Sequence, residues 1–132
     1  METTAKTQKV SLHTLYDTYN SHVRALDFYK EELQYLEMRL GTIVNANTGQ
    51  EVLSQAEHFQ NVFLITSDNI AELKGRVQRG LQHIEEVIKV KPTHADEKTI
   101  NDLGIYSRDL HELENRFSAM KLQFNSFLAK YL

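Results

Sequence analysis

The 132-residue chain has no cysteine, no tryptophan, one proline and only five glycines. Without cysteine there can be no disulfide, thiolate metal site or cysteine nucleophile, and a reducing cytoplasm is the expected compartment. So few backbone breakers cannot supply the turns that a β-rich fold needs roughly every 8–12 residues. No apolar run approaches the ~20 residues of a membrane-spanning helix. Residues 1–10 are polar, with Lys6 and Lys9 but no apolar run behind them; they are not built like a secretory signal and are expected to be a flexible segment. Nor is there an excess of charge of one sign to attract nucleic acid: fifteen Lys and Arg are interspersed with eighteen Asp and Glu, for a net charge of -3.

What is present is a folding composition, 41% hydrophobic and 25% charged, with enough length for one domain over residues 11–132. Its apolar residues recur with the period of a heptad. In the first third, Leu12, Tyr19, Leu26, Leu33 and Leu40 form one row beside Leu15, His22, Tyr29, Leu36 and Ile43. In the middle, Ala56, Phe63, Ile70, Val77 and Ile84 run beside Val52, Phe59, Thr66, Leu73, Gly80 and Val87. In the last third, Leu103, Leu110, Phe117, Phe124 and Tyr131 run beside Tyr106, Leu113, Met120 and Phe127. Such paired rows are the seam of a coiled-coil helix.

Helices are therefore predicted over about 12–45, 49–90 and 94–131. Capping chemistry supports these starts independently: Ser11 with a Val10–Leu15 staple, a Thr48–Glu51 capping box, and Thr93 with Asp96 three residues on. Pro92 separates the second and third helices. Gly41 is a possible stop for the first helix, but Ile43 stays in phase and a shorter helix would uncover its neighbours, so the helix is expected to continue. Short connections then require an elongated, antiparallel, up-down-up, all-α three-helix coiled-coil bundle. Spectrin-type repeats share that helix count and architecture, a likeness that carries no function.

The run Ala71, Glu72, Leu73, Lys74, Gly75 resembles part of the motif around the phosphoacceptor of histidine phosphotransfer domains. Where that motif places its histidine, this chain has Ala71, so no imidazole is there to carry phosphate. The residues three before each of the six histidines are Val10, Tyr19, Gln55, Gly80, Lys91 and Arg108, so the Glu-x-x-His pairs of di-metal bundles are absent. The reversed order, His83 with Glu86, His94 with Glu97 and His111 with Glu114, falls largely outside the seams and reads as solvated surface. No phosphate loop, nucleophile elbow or zinc-protease motif occurs. His22 and Thr66 are polar residues in seam rows and are expected to find hydrogen-bond partners and to set register.

Counting from the two turns places residues of the first and second helices level when their numbers add to about 96, and those of the second and third when they add to about 184. Gly80 then lies level with Tyr16 and Gly104, Tyr19 near Ser107, and His22 near Leu110. A missing side chain there either admits a tyrosine ring or leaves a cleft, and Tyr16, Tyr19, His22, Gly80, Gly104, Tyr106 and Ser107 are the candidate binding layer. Tyr35, Ile65, Leu81 and Ile88 flank the seams as an expected exposed apolar strip. The expected function is a non-enzymatic interaction or scaffold module that binds a protein partner or forms a homo-oligomer, with no catalytic residue, cofactor, metal or nucleic acid. The alternative is a carrier or sensor of an apolar ligand or membrane surface, disfavoured because the polar faces are mixed rather than basic; a metal- or phosphotransfer-related bundle ranks below both.

Overall fold

A computed structural model describes residues 11–90 and 95–131. Three helices, α1 (Leu12–Ala46), α2 (Gln50–Val90) and α3 (Glu97–Tyr131), pack pairwise as an all-α bundle. No helix among the described residues is long and apolar enough to cross a membrane.

Each helix starts where a side chain or carbonyl can serve its orphan amides. Ser11 caps α1 as expected: its hydroxyl accepts from the His13 amide and its carbonyl from the Leu15 amide, both at 3.1 Å. Val10 lies outside the described residues. α1 runs through Gly41 and ends at Ala46, where the Asn47 side-chain amide donates to the Ile43 carbonyl at 2.9 Å and satisfies one acceptor of the last turn.

Two expected starts move. The first intrahelical bond of α2 is accepted by the Gly49 carbonyl, from the Leu53 amide at 3.1 Å, so the cap position falls one residue after Thr48. α3 begins at Glu97 rather than near 94: the Asp96 carboxylate accepts from the Thr99 amide at 2.8 Å, and its carbonyl from the Ile100 amide at 3.3 Å. An ionised carboxylate at a helix N-terminus meets both the free amides and the positive end of the dipole. Pro92 and Thr93 lie outside the described residues.

The contacts group into two compact units. The first holds the described residues up to Leu26 and those of Glu72–His111; the second holds Asp27–Ala71 and the described residues from Glu112 on. The first is closed by Leu12, Leu15, Leu26, Leu73, Val77, Ile84 and Leu110, all buried seam residues, with Tyr19 fully buried among them. The second adds an aromatic cluster to buried Leu33, Leu36, Leu40 and Ile43. In it Phe124 lies 5.2 Å from Phe59 and 5.1 Å from Phe63 between ring centres, and Phe59 lies 5.1 Å from Phe127. Burying each such ring stabilises by roughly 2–3 kcal/mol, so the seam and not helix propensity holds the unit together.

Two polar seam residues of this unit, Thr66 and Tyr29, find hydrogen-bond partners. Thr66 donates to the Val62 carbonyl at 2.8 Å and sits 3.5 Å from the Met120 sulfur. Tyr29 donates to Glu114 at 3.1 Å; burial, and then this bond, raise its hydroxyl pKa. Lys121 pairs with Glu32 beside it. Buried residues outside the recognised rows are Ala95, Thr99 and Leu128.

Candidate functional site

Among the layer residues singled out in the sequence, Tyr19, Gly80 and Tyr106 converge in the first unit. A Cβ built on Gly80 would stand 2.4 Å from Tyr19 Cε2, so the glycine exists to admit that ring. The ring is Tyr19 rather than the level Tyr16. Helical side chains lean toward the N-terminus of their own helix, which carries the Tyr19 ring below the level of its Cα. The same lean brings His22 Nε2 to 2.8 Å from Ser107 Oγ, in place of the expected Tyr19–Ser107 neighbours.

Tyr19 is held from two further sides. Its hydroxyl donates to the Thr99 carbonyl at 3.0 Å, and its ring meets Tyr106 edge-on at 6.0 Å and 84°. Burial, then the nearby Tyr106, Asp102 and Asp96, push the Tyr19 hydroxyl well above the ordinary tyrosine range, so it remains a proton-bearing donor and cannot serve as a base. Tyr106 is steadied by the Arg76 guanidinium, 5.6 Å from its ring centre. Arg76 in turn bonds Asp109 at 3.1 Å and Glu72 at 3.1 Å; burial lowers its pKa, but these carboxylates outweigh that and the net direction is up.

Around Tyr19, Gly80 and Tyr106 lies a cleft of about 430 Å³, rimmed by Arg79, His83, Asp96, Lys98 and Asp102. Its charges are largely paired: His83 lies 3.4 Å from Asp96 and Lys98 3.0 Å from Asp102. The cleft can therefore offer hydrogen bonds and charge to a polar group. Of the other candidates, Tyr16 is half-buried and does not line the cleft. Gly104 is exposed, with nothing within 4 Å of a built Cβ, so it takes no part in the layer. His22 and Ser107 bond each other outside the cleft lining. Among the described residues no group of three or more His, Asp or Glu side chains is placed to hold a metal ion.

Asp96 entered the sequence reading only as a capping partner of Thr93, and Thr99 not at all, although a signal was there: extending the two α3 seam rows back one heptad from Leu103 and Tyr106 lands on them. Hydrogen bonds from Thr99, then from His83, hold the Asp96 carboxyl below its ordinary value of 3.8 against the opposing effect of burial. As pH falls, the unfolded chain thus takes up this proton first. The cap's contribution is complete above 3.8 and is lost as pH drops through the lower folded value. Replacing Asp96 with alanine is expected to cost about 1 kcal/mol at neutral pH, and the gap from the native chain should narrow in urea denaturation between about pH 5 and pH 2. A gap that stays constant over that range means the ionised carboxylate is not the cap. Because the Asp96 side chain is 54% exposed, the helix cap and not the pair with His83 carries this effect.

Comparison with protein families, curated proteins and solved structures finds no match for this chain.

Proposed function

We propose that this chain is a non-catalytic interaction module whose helical surface binds a protein partner or a second copy of itself. The observation that carries the reading is the uneven placement of large apolar side chains that the core does not use. The second unit leaves Phe28, Tyr35, Met38, Leu64, Ile65 and Leu122 exposed, Met38 by 67% and Leu122 by 70%, although its core is already closed by the seam. Of the apolar strip expected from the sequence, Tyr35 and Ile65 are exposed in this unit, whereas Leu81 and Ile88 in the first unit are half-buried.

Phe28, Tyr35 and Met38 recur at spacings of seven and three on the outer side of α1. Single exposed apolar residues are ordinary, but a row with two aromatic members has the composition of an interface centre. The cleft at Tyr19 agrees with binding and not turnover, since its hydroxyl is committed to a carbonyl and its charges are paired.

The test compares the native chain with a variant carrying Phe28→Gln, Tyr35→Gln and Met38→Gln, by mass in solution and by partner recovery from the native cell. An association present in the native chain and lost in the folded variant supports the reading. A native chain that is strictly monomeric and retains no partner overturns it.

A further inference from the structure

In the second unit, α1 and α2 leave between them a groove of about 640 Å³. Its floor is the buried pair Leu40 and Phe63; its walls are Val44 and Leu64, the latter 63% exposed. Gly41 opens the α1 side, and a Cβ built there would touch nothing within 4 Å. Asn45, Gln60 and Asn61 line the rim with uncharged hydrogen-bonding groups, and Glu37 adds a carboxylate.

We propose that this groove docks an amphipathic helix of basic character: a partner segment with apolar residues at i, i+3 or i+4 and i+7, flanked by lysine or arginine. The inference rests on the interaction-module reading and supplies the partner's chemistry. Both walls are helices whose backbone groups are bonded within the helix, so an extended strand has no edge to pair with; a helix pressing side chains into the groove is the mode that fits.

Gly41 points the same way. A glycine inside a helix costs about 1 kcal/mol relative to alanine. Gly41 has no positive φ and no close neighbour to explain it. It does remove the side chain that would keep an incoming backbone at a distance. Gly80, by contrast, is fully accounted for by Tyr19.

Charge selects the partner. Residues 27–71, which build this helix pair, hold seven acidic residues against two basic ones, and of the seven Glu32 and Glu51 pair with Lys121 and Lys130 of α3. Glu37 stands one turn before Gly41 on α1, while Glu57 and Asp68 stand two turns before and one turn after Leu64 on α2. The two basic residues are Lys30, two turns before Glu37, and Arg39, which a helix turns to the side away from Gly41. Anionic lipid and nucleic acid are repelled by such a border, and two copies joined through this groove would oppose like charges. A cationic helix gains both apolar burial and charge complementarity.

The test titrates the full chain with three labelled synthetic peptides of about five turns: a leucine-striped helix with lysine flanks, the same stripe with glutamate flanks, and a scrambled lysine peptide without the stripe. The lysine-flanked stripe is expected to bind at least about tenfold more tightly than either control, and Gly41→Leu to weaken it about tenfold or more. The melting temperature of that variant should not fall, because the new side chain meets open space. The double change Glu37→Lys, Asp68→Lys should also weaken binding and flatten its salt dependence.

Unchanged affinity in Gly41→Leu, or equal binding of the scrambled peptide, overturns the groove as the site. Equal binding of the glutamate-flanked stripe overturns the basic partner. A native homodimer dissolved by Gly41→Leu assigns the groove to a second copy and overturns the proposal. Binding of none of the peptides overturns it as well, and the Phe28, Tyr35, Met38 variant then decides separately whether the module reading survives, because those residues do not line the groove.

Discussion

Phe124→Ala is expected to remove about 4 kcal/mol of unfolding free energy, the largest loss from any single truncation in the second unit. The ring is fully buried and touches three others, at 5.2 Å to Phe59, 5.1 Å to Phe63 and 6.1 Å to Phe127. Truncation forfeits the ring's own transfer free energy and also leaves a cavity among rigid aromatic neighbours, which close over it less readily than aliphatic chains do. Against a total stability of about 5–15 kcal/mol, a loss of that size moves the urea midpoint far to the left. Phe124→Leu, which keeps most of the volume, should lose much less. A loss below about 1 kcal/mol for the alanine variant means the four-ring cluster is not the centre of this core.

Gly80→Ala is expected to destabilise by about 2 kcal/mol, opposite in sign to the usual gain of placing alanine in a helix interior. The added methyl would stand 2.4 Å from Tyr19 Cε2. That ring is fully buried, tied through its hydroxyl to Thr99, and set edge-on to Tyr106, so shifting it gives up those contacts. The double-mutant cycle identifies the cause. With Tyr19→Ala in place, Gly80→Ala should become neutral or stabilising, a coupling that a general loss of helix packing does not produce. Equal costs of Gly80→Ala in both backgrounds would rule out the ring as the reason for the glycine.

The two glycines treated alike by composition thus do different things, and only packing separates them. Gly80 lies in a seam row, so the sequence already pointed to a tyrosine or a cleft beside it. The structure holds both, with the ring filling the space directly over the glycine and the cleft beginning at its edge. Gly41 was legible only as a question of where α1 ends. That it opens a groove depends on Val44, Leu64 and the floor of Leu40 and Phe63 meeting there, and two of those four belong to a different helix.

The helices and their buried faces were written in local order. A seven-residue recurrence of Leu, Tyr and Phe puts those side chains on one stripe, and burial of the stripe requires other stripes to cover it. Capping was legible at Ser11, where a hydroxyl can serve an amide two residues on. It was misplaced at Thr48, and α3 takes its cap from Asp96, because several nearby residues compete to serve the same orphan groups.

The pairings in the first unit were out of reach of counting along the backbone. A level assigned from residue numbers describes Cα positions, whereas Tyr19 and His22 act through atoms carried toward the start of their helix. Local periodicity thus determined which residues turn inward. Only tertiary packing decided which side chain meets Gly80, which residue bonds His22, and where the surface stays open, because those outcomes depend on the lean and reach of side chains from helices distant in sequence.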